Sequence, residues 1–268
     1  MTLTLRNPPS GQPITAADVA ALLGGSSATY SFVEDFDSTP NATITTTGQY
    51  IGCNTGWFAR AFSSGASGSI ANVSGTSVQE NHPGVLRVLT GATGNSSATL
   101  SGLYLQKAQQ ISSTSQYMRL EALGTFGAVL NVPTVTSVRV WVGLATAVNS
   151  PTFGNDCALF LADTGETPTV LTWQAVVRGA AGEVRFDTLI PVVAQQWYDL
   201  EIEQVTRHVF LFRINGVLAA TLERPNQSGN LGAVNLGALV APLSNSLREL
   251  QLDLASLVSK PLNRLLAA

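Results

Sequence analysis

Charged residues are scarce in this chain, and their scarcity excludes several kinds of protein. Asp, Glu, Lys and Arg make up 12% of the 268 residues, about half the ~25% of an ordinary globular protein. The net charge is −3, and the fourteen Lys and Arg are scattered singly instead of forming a basic patch. We therefore expect no nucleic-acid partner. Because 45% of the residues are hydrophobic, the chain should still fold around a sizeable core.

Long hydrophobic runs, a secretion signal and closely spaced cysteines are also missing. The apolar runs are only a few residues long, far short of the ~20 needed to span a bilayer, so no membrane segment is expected. The opening residues MTLTLRNPPSGQ lack a charged start followed by an apolar stretch, and so predict no secretion signal. The cysteines, Cys53 and Cys157, lie far apart in sequence, which favours two reduced thiols over a disulfide.

Sequence signals for catalysis and for bound cofactors are equally sparse. The histidines, His82 and His208, each lack a second histidine, a cysteine or a carboxylate at the spacing of zinc ligands. Neither a Gly-x-Ser-x-Gly nucleophile motif nor a phosphate-binding loop occurs. We therefore expect a protein that uses no cofactor.

Acidic residues that could bind calcium cluster at one point of the chain. Glu34, Asp35 and Asp37 are close in sequence, and Asp253 could add a further carboxylate. A solvated strand end explains the same residues, and we favour that interpretation. No metal site is predicted, and Asp35, Asp37 and Asp253 are the candidates if calcium binds.

Residues 1–28 differ in composition from the rest of the chain and are predicted to form an N-terminal arm. Pro8 and Pro13 make its start extended and irregular. One short helix is predicted over ITAADVAALL, with Thr15 as its N-cap and with Gly24 and Gly25 ending it.

Apolar residues in this arm, and in a predicted C-terminal tail over residues 259–268, need a surface to cover them. A segment this short cannot build a core of its own, so we expect contacts with the rest of the chain or with a neighbouring chain. The predicted assembly contacts are Leu3, Leu5, Ile14, Val19, Leu22 and Leu23 in the arm, and Leu262, Leu265 and Leu266 in the tail.

Between these segments, over residues 29–258, the hydrophobic period changes to two. Short runs of β-branched and aromatic residues alternate with Gly, Ser, Thr, Asn and Pro, which is typical of strands joined by turns. Each run predicts one buried and one outward face. The residues predicted to face the core include Val138, Val140, Val142, Leu144, Trp173, Leu200, Ile202, Leu250, Leu252 and Leu254.

The stretch HVFLFRINGVLAATL carries the clearest local signal. Asn215-Gly216 is the dipeptide that best tolerates positive φ at both centres of a type I′ turn, so two strands are predicted to meet there as a hairpin. The chain shows no alternation of strands with helices, which excludes a doubly wound α/β fold. We predict an all-β protein built as one antiparallel β-sandwich.

Three neighbouring stretches resemble the concanavalin A-like jelly roll of laminin-G and legume-lectin domains. They are the strand from Trp197 to Ile202, the hairpin sequence HVFLFRINGVLAATL that comes next, and the closing strand LRELQLDLAS. The resemblance covers mainly residues 160–256. It implies the fold and leaves the function open, because that fold carries lectins, glycanases and capsid parts alike.

Two further stretches resemble bacteriophage virion proteins. PPSGQPITAADVAALL is similar to the N-terminal segments of phage fibre and structural proteins. FVEDFDS, followed later by NHPGVLRVLTGAT, is similar to the opening of jelly-roll modules in such proteins. These resemblances imply a subunit of a phage particle.

Carboxylates alternate along one predicted strand, as they do in glycanases of this fold. Asp199, Glu201 and Glu203 have a spacing that could bring them to one sugar. The order Asp-Leu-Glu-Ile-Glu does not reproduce the Glu-x-Asp-x-x-Glu pattern of those enzymes. We favour an ordinary solvent-facing strand and predict that the protein is not an enzyme.

Arg139 and Trp141 are the candidate glycan-binding residues. The alternation in SVRVWVGLAT puts them opposite the aliphatic face of their strand, where an exposed indole could stack on a sugar ring. Coverage of Trp141 by the arm, by a loop or by a second chain explains the pattern equally well.

The sequence therefore predicts a non-catalytic structural subunit of a bacteriophage particle, a capsid decoration or head-fibre protein attached through its N-terminal arm. The alternative is a carbohydrate-binding module of a tail fibre or baseplate that contacts a glycan on the host surface. Both place the protein in the virion, assembled in the host cytoplasm, with other virion proteins, such as the major capsid protein, as partners. A homo-oligomer is expected, with a trimer as the predicted state.

Overall fold

The structure is a computed structural model. It describes residues 30–34, 36, 42–44, 50–52, 57–62, 68–72, 84–91, 102–107, 122–145, 156–165, 170–179, 181–206, 208–225 and 235–261. Within these ranges no helix is long and apolar enough to cross a membrane. The predicted arm with its helix, and residues 262–268 of the predicted tail, lie outside the described residues.

Seventeen strands run along the described chain. They are β1 (Tyr30–Glu34), β2 (Ala42–Ile44), β3 (Tyr50–Gly52), β4 (Trp57–Phe62), β5 (Gly68–Asn72), β6 (Leu86–Thr90), β7 (Gly102–Lys107), β8 (Ala122–Asn131), β9 (Val138–Ala145), β10 (Cys157–Asp163), β11 (Thr172–Gly179), β12 (Gly182–Pro191), β13 (Trp197–Gln204), β14 (Val209–Ile214), β15 (Val217–Glu223), β16 (Asn235–Pro242) and β17 (Glu249–Pro261).

The strands form two antiparallel sheets. Sheet A has the order β15-β14-β13-β8-β17-β6-β5-β2, and sheet B has the order β12-β11-β10-β9-β16-β7-β4-β3. In sheet A, β17 pairs first with β6 and, over its second half, with β1. The predicted all-β antiparallel sandwich is confirmed.

One face of each sheet contributes to a common core. Trp173 of β11 lies at its centre, with its ring edge-on to Phe160 at 6.2 Å and to Tyr198 at 5.7 Å between centroids. Such aromatic pairs contribute roughly 0.5–1.5 kcal/mol beyond the burial of their surface. The predicted inward residues that join this core are Val138, Val140, Val142, Trp173, Leu200, Ile202, Leu250 and Leu252.

The Asn215-Gly216 hairpin forms as predicted. Asn215 and Gly216 have φ of 52° and 76°, and Ile214 pairs with Val217 directly across them, which is a two-residue type I′ turn. Asn215 also binds Asp199 on the neighbouring strand twice: its N–H donates to the Asp199 carbonyl at 2.7 Å, and its Oδ1 accepts from the Asp199 N–H at 2.9 Å. The turn therefore fixes the register of three strands.

The last strand differs from its prediction at one point. Its pairing with β8 shifts between Leu252 and Leu254, so that Asp253 is an extra residue in a β-bulge. The bulge reverses the parity of the residues after it, and Ala255 enters the core whereas Leu254 is only half-buried. The prediction that Leu254 faces the core is therefore wrong. The strand continues to Pro261, three residues into the predicted tail.

Candidate functional site

Trp141 lies on the outer face of sheet B, and that face is buried where β9, β10, β11 and β16 lie side by side. Trp141 is 0% exposed and packs in a second apolar cluster with Leu159 of β10, Val176 of β11 and Leu239 of β16. These residues have the opposite parity to the core residues of the same strands. The structure corrects the predicted exposure of Trp141, because a fully buried indole presents no face to a sugar ring.

The sequence contained a signal for this second buried face. All seven residues of β10, CALFLAD, are buried, and a strand buried on both faces reads as a continuous apolar run instead of an alternation. In β11 the residues from Thr172 to Val177 are also all buried, although Gln174 interrupts the apolar run there. The outward parity of Trp141 in its own strand was therefore a poor guide to exposure, since its neighbours on both sides are apolar on that face.

Arg139, the other candidate for glycan binding, is engaged in an ion pair. Its guanidinium binds the carboxylate of Asp163, which is 0% exposed and lies opposite it in β10. The other oxygen of Asp163 accepts a hydrogen bond from the N–H of Gly165 at 2.8 Å. Next to this pair, the Thr164 hydroxyl accepts from the N–H of Val138 at 2.9 Å. Arg139 thus helps to hold the turn after β10 against the start of β9.

The carboxylates of β13 lie beside an arginine of the next strand. Arg213 of β14 is opposite Glu201 and donates to Glu201 at 2.5 Å and to Glu203 at 2.7 Å. These two hydrogen bonds raise the pKa of Arg213. Burial, followed by the nearby charge of Glu201, raises the pKa of the Asp199 carboxyl. The geometry of Glu201 and Glu203 is that of a cross-strand ion pair on the outer face of sheet A.

A buried arginine that was not predicted from the sequence joins the two sheets. Arg224, at the end of β15 in sheet A, is 2% exposed and binds the carboxylate of Asp156, which precedes β10 in sheet B. Its backbone N–H donates to the carbonyl of His208 at 2.7 Å. The alternation along β15 could have predicted the burial of Arg224, because this residue follows Ala220 and Leu222 on the inward face of the strand.

Arg248 is a second buried arginine, 7% exposed, and it holds two turns together. Its side chain donates to the carbonyl of Ser137 at 3.1 Å and to that of Leu247 at 2.6 Å. Its backbone N–H donates to the hydroxyl of Thr90 at 2.9 Å. Burial lowers the pKa of Arg248, and the carbonyl partners keep its charge hydrogen-bonded inside the sandwich.

Cys157 is a free, buried thiol, which agrees with its predicted reduced state, whereas Cys53 lies outside the described residues. Burial, with a further contribution from the charge of Glu183, raises its pKa from 9.0 to about 12. A thiol in this state is neither a nucleophile nor a metal ligand at neutral pH.

The calcium candidates are brought together only in part. The pairing of β1 with β17 puts Glu34 opposite Ala255, close along the strand to Asp253, whereas Asp35 and Asp37 lie outside the described residues. Among the residues that the structure describes, no group of three or more His, Cys, Asp or Glu side chains could hold a metal ion. The predicted assembly contacts, Leu3 to Leu23 and Leu262 to Leu266, also lie outside the described ranges.

No protein-family model and no curated protein matches the chain, but solved structures resemble it. One is a protein of unknown function from Shewanella oneidensis MR-1, 12% identical, with a TM-score of 0.54 over 95% of this chain and 97% of that one. Another is 12% identical, with a TM-score of 0.51 over 85% of this chain and 98% of that one. It comes from work on endo-acting O-glycanases that human gut microbiota express to initiate mucin breakdown. A laminarinase from Rhodothermus marinus is 11% identical, with a TM-score of 0.50 over 85% of this chain and 95% of that one. At these identities the likeness shows the jelly-roll fold alone.

Proposed function

We propose that the chain is a non-catalytic structural subunit of a bacteriophage particle, a capsid decoration or head-fibre protein held to the particle through its N-terminal arm. Its partners are other virion proteins, and it acts as a homo-oligomer. The phage assignment is supported by the resemblance of PPSGQPITAADVAALL and of FVEDFDS to segments of virion proteins. The non-catalytic assignment is supported by how the fold uses its charged residues.

The buried charges carry the argument. In the described part of the chain, the buried charged residues are Asp163, Arg224 and Arg248. Each binds another segment of the same sandwich: Asp163 joins two adjacent strands, Arg224 joins the two sheets, and Arg248 joins two turns. Active sites usually hold buried charges for a substrate and shift their pKa values accordingly. Here these groups support architecture instead.

The acidic row on β13 supports the same conclusion. Glycanases of this fold need two carboxyl groups in different protonation states, one as acid and one as nucleophile or base. Glu201 and Glu203 both accept hydrogen bonds from the one guanidinium of Arg213. Both carboxylates are thus ion-pair partners of the same arginine within the sheet, and neither is set apart from the other for a separate role toward a substrate.

The alternative is a carbohydrate-binding module of a tail fibre or baseplate. The jelly-roll fold is compatible with it, since lectins share the fold. The buried Trp141 removes the aromatic residue on which that hypothesis depended. We therefore favour the structural role.

Location in the particle tests the proposal. Antibodies raised against the purified chain are used for immunogold labelling of phage particles from the host that carries the gene. Label over the capsid shell is the expected result. Label at the tail tip favours the carbohydrate-binding alternative, and particles without the protein refute both assignments.

An activity assay tests the non-catalytic part separately. The purified chain is incubated with a panel of polysaccharides and applied to a glycan array, with the double variant Glu201→Gln, Glu203→Gln as the matched control. We expect no hydrolysis and no binding by either protein. Hydrolysis by the wild type that the variant loses would refute the proposal.

A further inference from the structure

Exposed apolar side chains are concentrated at one corner of the sandwich. In the described part of the chain, eight large hydrophobic residues are exposed. Five of them share this corner, so they form a patch instead of scattered single residues. We name these five the apolar corner: Val170 (56% exposed), Leu189 (78%), Val193 (46%), Val217 (66%) and Leu218 (54%). A patch of this kind marks a surface where a protein segment binds.

The strand pairing brings the members of the apolar corner together. The N–H of Val192 donates to the Leu171 carbonyl at 2.8 Å, so Val170 and Val193 are the next residues along the two segments. Leu189 belongs to the last part of β12, directly before this pair. Strand β15, which begins with the other two members, contacts both β11 and β12. The corner therefore spans the side of the sandwich where the two sheets meet.

Leu189 is held outward by the structure around it. Its φ is 59°, which is strained for a residue with a bulky side chain. The Asp187 carboxylate accepts the Leu189 N–H at 2.9 Å, and the Thr188 hydroxyl donates to the Trp173 carbonyl at 2.6 Å. Strained residues that their neighbours hold in place cluster at binding sites. The outward position of Leu189 is therefore imposed by the fold.

The charges beside the apolar corner are acidic. Asp187 is bonded to Leu189, and Asp199 is bonded to the turn that opens β15. Two arginines on nearby strands, Arg185 and Arg213, bind glutamates of the chain itself. A segment that carries apolar side chains and a positive charge is complementary to this surface, whereas two such corners brought together would repel each other.

We propose that the apolar corner binds residues 262–268 of a second copy of the chain. This segment, LNRLLAA, follows β17 directly, and we name it the tail peptide. Leu262, Leu265 and Leu266 recur at the spacing of one helical face, and Arg264 supplies a charge opposite in sign to the corner. The contact rests on the homo-oligomer included in the proposed function and is independent of the particle to which the protein belongs.

The tail peptide cannot reach the apolar corner of its own chain. Val193 is bonded to the Tyr198 hydroxyl, and Tyr198 pairs with Leu130 near the end of β8. Strand β17 finishes at the opposite end of β8, beside Ala122. Between these two points β8 extends about 26 Å, whereas the chain from the end of β17 to Leu266 spans at most ~18 Å when fully extended. A tail peptide that fills the corner must therefore come from another copy.

The contact joins two different surfaces, so it is heterologous. Each copy offers one corner and one tail peptide, and repeated contacts form a ring if the rotation between copies closes and a filament if it does not. The trimer predicted from the sequence is the ring that three such contacts form.

Sedimentation equilibrium of the purified full chain tests the association. The wild type should be oligomeric, and the corner variant Leu189→Asn, Val217→Thr should weaken the association at least tenfold. Asparagine tolerates the φ of Leu189 better than leucine does, and thermal melts confirm that each variant is folded. Val205→Thr makes the matched change at an exposed valine outside the corner and should associate like the wild type.

Mixing two variants tests the head-to-tail geometry. The tail variant Leu265→Asp, Leu266→Asp retains an intact corner, and the corner variant retains an intact tail peptide. At a concentration where the wild type is oligomeric, each variant alone should be monomeric. Together they should form a one-to-one dimer, because one corner and one tail peptide remain to join them. Deletion of residues 1–28 is the control for the other apolar segment and should leave the wild-type association unchanged.

Several results would overturn the proposal. A monomeric wild type, or corner and tail variants that associate like the wild type, would show that this contact does not form. A mixture of the two variants that stays monomeric would exclude the head-to-tail geometry, and loss of association on deletion of residues 1–28 would assign the contact to the arm. The place of the protein in a particle is tested separately by the immunogold labelling.

Discussion

Removing one hydroxyl, that of Tyr198, should measurably weaken the sandwich. The side chain is 1% exposed; its hydroxyl donates to the Pro191 carbonyl at 2.9 Å and accepts from the Val193 N–H at 2.8 Å. These bonds fasten the end of β12, in sheet B, and the residues directly after it to the start of β13, in sheet A. Tyr198→Phe keeps the ring against Trp173 but leaves both backbone groups without this partner.

The expected loss is about 2 kcal/mol. A buried polar group that loses its partner costs roughly 1–3 kcal/mol. Pro191 and Val193 are both exposed residues, so water can replace part of each bond, which keeps the loss below the upper end of that range. For a chain of 268 residues, an unfolding entropy of about 2.1 cal/mol/K per residue converts this loss into a melting temperature about 4 °C lower.

The pH dependence of stability should change as well. Burial raises the pKa of Tyr198 above its ordinary value of 10.0. As the pH rises past 10, the unfolded chain therefore loses this proton before the folded chain does, and the free energy of unfolding falls. The phenylalanine variant lacks this contribution, so the difference in stability between the two proteins should narrow at alkaline pH.

Urea and thermal unfolding, followed by circular dichroism at pH 7 and at about pH 10.5, measure both effects. Thr221→Val, which removes an exposed hydroxyl on β15, is the control and should melt like the wild type. If Tyr198→Phe also melts within about 1 °C of the wild type, the two hydrogen bonds do not stabilise the fold and the reasoning fails.

Three further predictions concern other parts of the chain. Gly143→Ala should lower the free energy of unfolding by at least ~3 kcal/mol more than Gly182→Ala does. Both glycines have positive φ, but a Cβ at Gly143 would lie 2.6 Å from the Ala158 carbonyl oxygen, whereas a Cβ at Gly182 would meet open space. Similar melting curves for the two variants would contradict this. Cys157, with a pKa of about 12, should resist alkylation at pH 8 until denaturant unfolds the chain. Peptide mapping by mass spectrometry measures the labelling, and rapid labelling of Cys157 in the native chain would count against its burial. Deletion of residues 1–28 should leave the melting curve unchanged but abolish incorporation into particles, and a truncated chain found in purified particles would refute the role of the arm.

Alternating strands and the Asn-Gly turn were readable from the sequence because both signals are local. Val138, Val140 and Val142 reached the core as their period-two spacing predicts. Asn215 and Gly216 adopt positive φ because few other residue pairs tolerate it. Such signals need no knowledge of which strand lies beside which.

The errors arose where strand neighbours decide the outcome. The bulge at Asp253 depends on how β17 pairs with β8, and no residue of LQLDLAS marks it in the sequence. The burial of Trp141 depends on the second apolar cluster, which β10, β11 and β16 form around it. The partnership of Arg224 with Asp156 joins residues far apart in sequence and on different sheets. Parity within one strand contains none of this information.

The two outer faces of the sandwich differ, and the difference limits where partners can bind. On sheet B the outer face is apolar and buried around Leu159 and Val176, and it carries the Arg139–Asp163 ion pair at the end of β10. On sheet A, Arg213 binds both Glu201 and Glu203. A chain with only 12% charged residues has few long-range electrostatic contacts to offer a partner. A partner that binds through main-chain hydrogen bonds or apolar contacts needs no net charge, so contacts of that kind are the ones that a chain of this composition can best supply.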